Sequence, residues 1–232
     1  MDILRVLVRI GILTLVGLLL TIGVCYYALG QETDAYTHFS KGLDYLNKEM
    51  WNEAIVEFNK VIEMNPGDAN AYDNRGLAYY YKGQYDEAIS NYNRALEINP
   101  RDVYAYNNRG NAYYRKGLYD QALHDYNMVL EINPMDADGY NNRGNIYDKK
   151  GQYDKAIIDY SKALEINPRD AYAHFNKAVT CEKLGRFREA IEAYKSFIRY
   201  APSQSPDVER AKQRIIVLED KPSPTRHKRA ND

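Results

Sequence analysis

The residues best able to act as bases, nucleophiles or metal ligands are His38, His124, His174 and His227 with Cys25 and Cys181. Catalysis needs such groups held together in one concave site, and their scatter along the chain does not gather them. No HExxH pair, GxSxG elbow or glycine-rich phosphate loop occurs. Two cysteines are too few for a disulfide framework and lack metal-ligand spacing. Cys181 falls where a core side chain is expected, which favours burial over reactivity. The expectation is therefore no enzyme, no metal, no cofactor and no small-molecule substrate. With 31 Lys+Arg against 32 Asp+Glu, no general attraction to nucleic acid is expected either. The chemistry that does recur is different: Arg75, Arg109 and Arg143 repeat in the phrase Asn-Arg-Gly. Such a row could bind anions, but an arginine lying along a helix seam and pairing with an acidic neighbour is the favoured reading.

The recurrence itself dictates the elements. Pro66, Pro100, Pro134, Pro168 and Pro202 are each 34 residues apart, as are Ala54, Ala88, Ala122, Ala156 and Ala190. Gly42, Gly76, Gly110 and Gly144 keep the same register, with Ala178 fifth, and so do Phe58, Tyr92, Tyr126, Tyr160 and Tyr194. Within residues 69–102, Asp68 can cap a first helix that carries Tyr72, Gly76, Tyr79 and Tyr80 at helical spacing. Gly83 ends it, because glycine tolerates the left-handed backbone of a helix C-terminus. Asp86 is placed to cap a second helix burying Ala88, Ile89, Tyr92, Ala95 and Leu96, and Pro100 blocks its continuation. The small residues Gly76 and Ala88 are expected where the two helices approach most closely. One such hairpin cannot bury its own apolar surface, so neighbours must stack.

These offsets resemble the tetratricopeptide repeat (TPR), over five consecutive units: 35–68, 69–102, 103–136, 137–170 and 171–204. The outer units depart from the pattern, with His38 and Glu49 in the first and His174, Ala178 and Cys181 in the last. The resemblance implies an all-α, right-handed superhelical solenoid of antiparallel helix pairs. It also implies that the first helix of each unit lines a concave face that contacts a partner protein or peptide. The implied groove residues are Asn70, Asp73, Tyr80, Tyr81, Tyr104, Asn107, Asn111, Tyr114, Arg115, Asn141, Asn145 and Asp148. Asparagine can pair with both groups of an extended backbone, and tyrosine adds a flat contact at little entropic cost. The alternative is that Asn74, Asn108, Asn142 and Asn176 only bond within or between helices. Some family members clamp a chaperone's terminal carboxylate with lysines. Asp73, Tyr104, Asn107, Asp138 and Asn141 stand at the clamp positions here, so that function is not expected.

Segments flank the array. Ile10 to Leu29 holds no charged residue over 20 positions, enough for a helix to span a bilayer core. Residues 1–30 read as a transmembrane signal anchor, or as a signal peptide removed after Gly30. Arg5 and Arg9 before it place the N-terminus in the cytoplasm and the repeats outside; cleavage would make the product secreted or periplasmic. Residues 205–219 form a capping helix in which Asp207 is the expected N-cap, and 220–232 a disordered basic tail. The function expected is a membrane-tethered scaffold binding peptide segments of partners. The alternatives are a structural spacer or self-assembling envelope protein, or an accessory subunit of an envelope enzyme or secretion complex.

Overall fold

The computed structural model describes residues 33–221. The expected membrane helix over 10–29 and the tail from residue 222 onward lie outside them. Among the described residues no helix is long and apolar enough to cross a membrane. They contain helices and turns and no strand. The chain divides into two compact units between Pro100 and Arg101.

The first unit holds α1 (33–47), α2 (Trp51–Met64), α3 (Ala69–Tyr81) and α4 (Tyr85–Ile98). The second holds α5 (Val103–Arg115), α6 (Tyr119–Ile132), α7 (Ala137–Lys149), α8 (Tyr153–Ile166), α9 (Ala171–Lys183), α10 (Phe187–Tyr200) and α11 (Pro206–Glu219). Within each, successive helices pack on one another as hairpins, and α7 also touches α9 directly.

Local chemistry sets the ends of these helices. Asp68, Asp102, Asp136 and Asp170 are the N-caps of α3, α5, α7 and α9, their carboxylates accepting from free backbone N–H groups of the first turn. At the other end of α3 the Gly83 N–H bonds to the Tyr80 carbonyl and the Gln84 N–H to that of Tyr79, with Gly83 at φ +77°. This paired closure satisfies carbonyls that the helix leaves open. It also corrects the expected cap of α4. Gln84 closes the turn and so occupies the cap position, which places Asp86 inside the first turn, where its charge complements the helix dipole. The expected cap of α11 shifts likewise: Ser205 is the N-cap, Pro206 opens the helix and Asp207 lies in its first turn. Proline's fixed φ and missing N–H suit that opening position.

The core of each hairpin is a ring laid on a glycine. A Cβ on Gly76 would sit 2.7 Å from Tyr92 Cε1, and one on Gly144 equally close to Tyr160 Cε1. The small residue in α3 therefore admits the Tyr92 ring from α4. Phe58, Tyr92, Tyr126 and Tyr160 are fully buried in this way, between alanines such as Ala54, Ala88, Ala122 and Ala156. Each ring removed from water contributes about 2 kcal/mol. The array closes on α11, whose Val208, Ala211 and Leu218 join Tyr194 and Phe197 in the last apolar cluster.

Candidate functional site

The arginine row is structural. In the second unit Arg109 Nε and Nη2 donate to the two oxygens of Asp125 at 2.8 and 2.6 Å, and Arg143 makes the same fork to Asp159 at 2.8 Å for both bonds. Arg143 Nη1 also reaches Asn127 on α6 at 2.8 Å. In the first unit Arg75 meets neutral partners, Asn91 at 2.7 Å and Asn59 at 2.6 Å. Tyrosines 72, 106 and 140 lie under these guanidiniums. Burial pushes Arg75 below its ordinary pKa, whereas Arg143 is raised by its bond to Asp159. At Arg109 and Arg143 the fork is taken by a carboxylate.

The expected groove residues divide by what holds them. In the second unit Tyr126 Oη donates to Asn111 Oδ1 at 2.8 Å, and Tyr160 Oη donates to Asn145 Oδ1 at 2.9 Å. Each bond is accepted by the amide oxygen, so the amide nitrogen, a donor, is not spent on the tyrosine. Asn176 Nδ2 bridges Asn141 and Asn145 at 3.2 and 3.0 Å. Asp148 accepts from Thr180 at 2.8 Å and from Lys183 at 2.6 Å, so α9 engages both of its oxygens. Tyr114 packs beside Tyr126 and Ile146 and against Tyr119. Asn107 is half-buried, with its Oδ1 shielded from water and without a hydrogen-bond partner. Arg115 is exposed, and Tyr104 stands 78 % exposed. The α7–α9 amide bridge answers to the inter-helix reading of Asn176.

In the first unit Asn70 is exposed and its carbonyl accepts from Asn74 Nδ2 at 2.8 Å. Asp73 is half-buried and adds to the charges that, after burial, raise the Tyr92 hydroxyl pKa. Tyr80 stands edge-on to Tyr81 and Tyr85, and Tyr81 stacks on Trp51 with ring centroids 4.8 Å apart. That stack walls a cleft of about 700 Å³ between α1 and α3, lined by Leu43, Leu46, Asn47, Glu49, Trp51, Asn74, Leu77 and Tyr81. Sequence reasoning missed Leu46, Asn47, Glu49 and Trp51 as surface chemistry. The available signals were the sole tryptophan of the chain and the departure from glycine at position 49.

Repeated helix hairpins stacked through shared seams, with small residues under buried rings, define a helical repeat solenoid. Family models of the tetratricopeptide repeat match residues 103–136, 137–170, 57–90 and 160–192, and a TPR-repeat model matches 76–117. Together they run unbroken from 57 to 192, more than half of the chain, which belongs to the tetratricopeptide-repeat family. No curated protein matches the sequence. Among solved structures, PilF of Pseudomonas aeruginosa is 18 % identical with a TM-score of 0.70, over 82 % of this chain and 90 % of that one. MamA is 23 % identical with a TM-score of 0.64, covering 72 % and 91 %. YrrB, described as a TPR protein with an unusual peptide-binding site, is 21 % identical with a TM-score of 0.62, covering 78 % and 93 %. At these identities the likeness concerns the fold.

Proposed function

We propose that this chain is a non-catalytic scaffold that binds extended peptide segments of partner proteins along the first helices of its repeats, tethered to a membrane through Ile10–Leu29. TPR proteins as a class bind other proteins and peptides. The observation that carries the reading here is the orientation of Asn111 and Asn145: with their oxygens taken by Tyr126 and Tyr160, their amide nitrogens are left as donors at 34-residue spacing. A peptide's carbonyls are the matching acceptors. The exposed rings of Tyr104 and Tyr172, 78 % and 74 % accessible, add flat apolar contact beside them. YrrB, a protein of like fold, is described as having a peptide-binding site, which supports the reading. The tether rests on sequence alone, on the uncharged stretch between Arg9 and Glu32.

The test is crosslinking of the full chain in its native cell, with partners identified by mass spectrometry. Asn→Ala changes are unsuitable, since they would strand two buried tyrosine hydroxyls. Asn111→Asp with Asn145→Asp keeps the oxygen that Tyr126 and Tyr160 need and removes the donor. That double variant, and Tyr104→Ser separately, should lose crosslinked partners while helicity and melting temperature hold. Full retention of partners by both would refute the reading.

A further inference from the structure

Resting on the peptide-binding reading above, we infer that the cleft between α1 and α3 is a pocket for an arginine side chain of the bound peptide, with Glu49 as its counter-charge. The floor of the cleft is apolar, from Leu43, Leu46 and Leu77, and its wall is the Trp51–Tyr81 stack. Such a surface suits an aliphatic stem followed by a planar group. The polar lining has one sign. Among the described residues Glu49 is the only charged one that lines the cleft, and Lys48 beside it in sequence is held by Asp44 at 2.6 Å. Asn74 spends its amide nitrogen on the Asn70 carbonyl, which leaves Oδ1 as its acceptor. A purely apolar occupant would desolvate the Glu49 carboxylate and this amide oxygen without replacing their hydrogen bonds. A guanidinium supplies donors to both and stacks on aromatic faces, which the compact ammonium of lysine does less well.

The backbone at Glu49 points the same way. Four helix ends close on glycines 83, 117, 151 and 185 at φ between +71° and +77°. The end of α1 makes the same closure, with Glu49 N–H bonded to the Leu46 carbonyl and Met50 N–H to that of Tyr45, but with glutamate at φ +58°. A side chain is strained there. Among the described residues Glu49 is the only non-glycine residue at positive φ, and the turn it occupies places a carboxylate at this cleft.

Trp51 is the only tryptophan and lines this cleft, so tryptophan emission comes from a residue of its wall. The probes are nonapeptides of alanine, serine and asparagine with one central residue, arginine or its neutral isostere citrulline, titrated into the purified full chain to millimolar concentration. Anisotropy of labelled peptides measures total binding in parallel. The arginine peptide should shift Trp51 emission saturably and bind about tenfold more tightly than the citrulline peptide. Glu49→Gln, which keeps the side-chain volume, should abolish that difference. Glu49→Gly should abolish it while raising the melting temperature, a pair of opposite effects that a purely structural glutamate would not give. Equal affinity for both peptides, or arginine preference persisting in both variants, overturns the pocket. If the equal affinity is itself lost in Asn111→Asp/Asn145→Asp, peptide binding stands without the pocket. No binding of either peptide overturns both.

Discussion

The hydroxyl of Tyr126 donates to Asn111 Oδ1 across the α5–α6 hairpin at 2.8 Å. The equivalent hydroxyl of Tyr92 has no partner and is buried, because Leu77 stands where Asn111 stands one repeat later. Removing an unsatisfied buried hydroxyl is favourable, whereas removing a bonded one is not. Tyr92→Phe should therefore stabilise the protein by about 1 kcal/mol, and Tyr126→Phe destabilise it by about the same amount. Urea denaturation of the two variants checks the opposite signs.

Gly144 underlies the Tyr160 ring, and an added Cβ would lie 2.7 Å from Cε1 with Cδ1 at 2.9 Å. Tyr160 is 1 % exposed, so the ring has little room to retreat. Gly144→Ala should lose about 1–2 kcal/mol, the overpacking strain exceeding alanine's better helix propensity. A gain in melting temperature would contradict the close packing.

Asp125 is buried and receives both arms of Arg109 at 2.6 and 2.8 Å. Asp125→Ala leaves the guanidinium without its carboxylate and should cost about 3 kcal/mol. Asp125→Asn should cost less, about 1–2 kcal/mol, since Arg75 in the first unit already donates to the amide oxygen of Asn91. Comparison of the two variants by denaturant midpoint tests the order.

Burial pushes the Glu57 carboxyl up, but hydrogen bonds from Lys60 at 2.8 Å and with His38 at 2.5 Å outweigh it and hold the pKa below 4.5. A folded-state pKa below the unfolded one gives stability that is present above the unfolded value and lost as pH falls through the folded one. Stability should thus decline below about pH 4.5. Glu57→Gln should weaken the protein near neutrality by roughly 1 kcal/mol and flatten that decline. An unchanged acid limb would show that Glu57 does not contribute to it.

The repeat was legible because each helix pair obeys the same local rules. Asp68, Gly83 and Pro100 mark caps, turns and stops through backbone chemistry that operates within a few residues. Asp86 and Asp207 look like caps in the sequence because a carboxylate is favourable throughout a first helical turn. Only the geometry of the preceding turn decides which residue stands outside the helix.

What the sequence determined by itself is the all-helical repeat, its 34-residue register and the buried positions, since periodicity translates directly into which side chains share a face. The tertiary structure decided the rest. The partners of Arg109 and Tyr126 lie 16 and 15 residues away on the facing helix, and Asn176 reaches back 31 and 35 residues to α7. Which atom of an amide is spent inside, and which is left to meet a ligand, follows from those contacts. A hydrogen bond is fixed by angles and distances between packed helices, and these exist only once the hairpins have stacked.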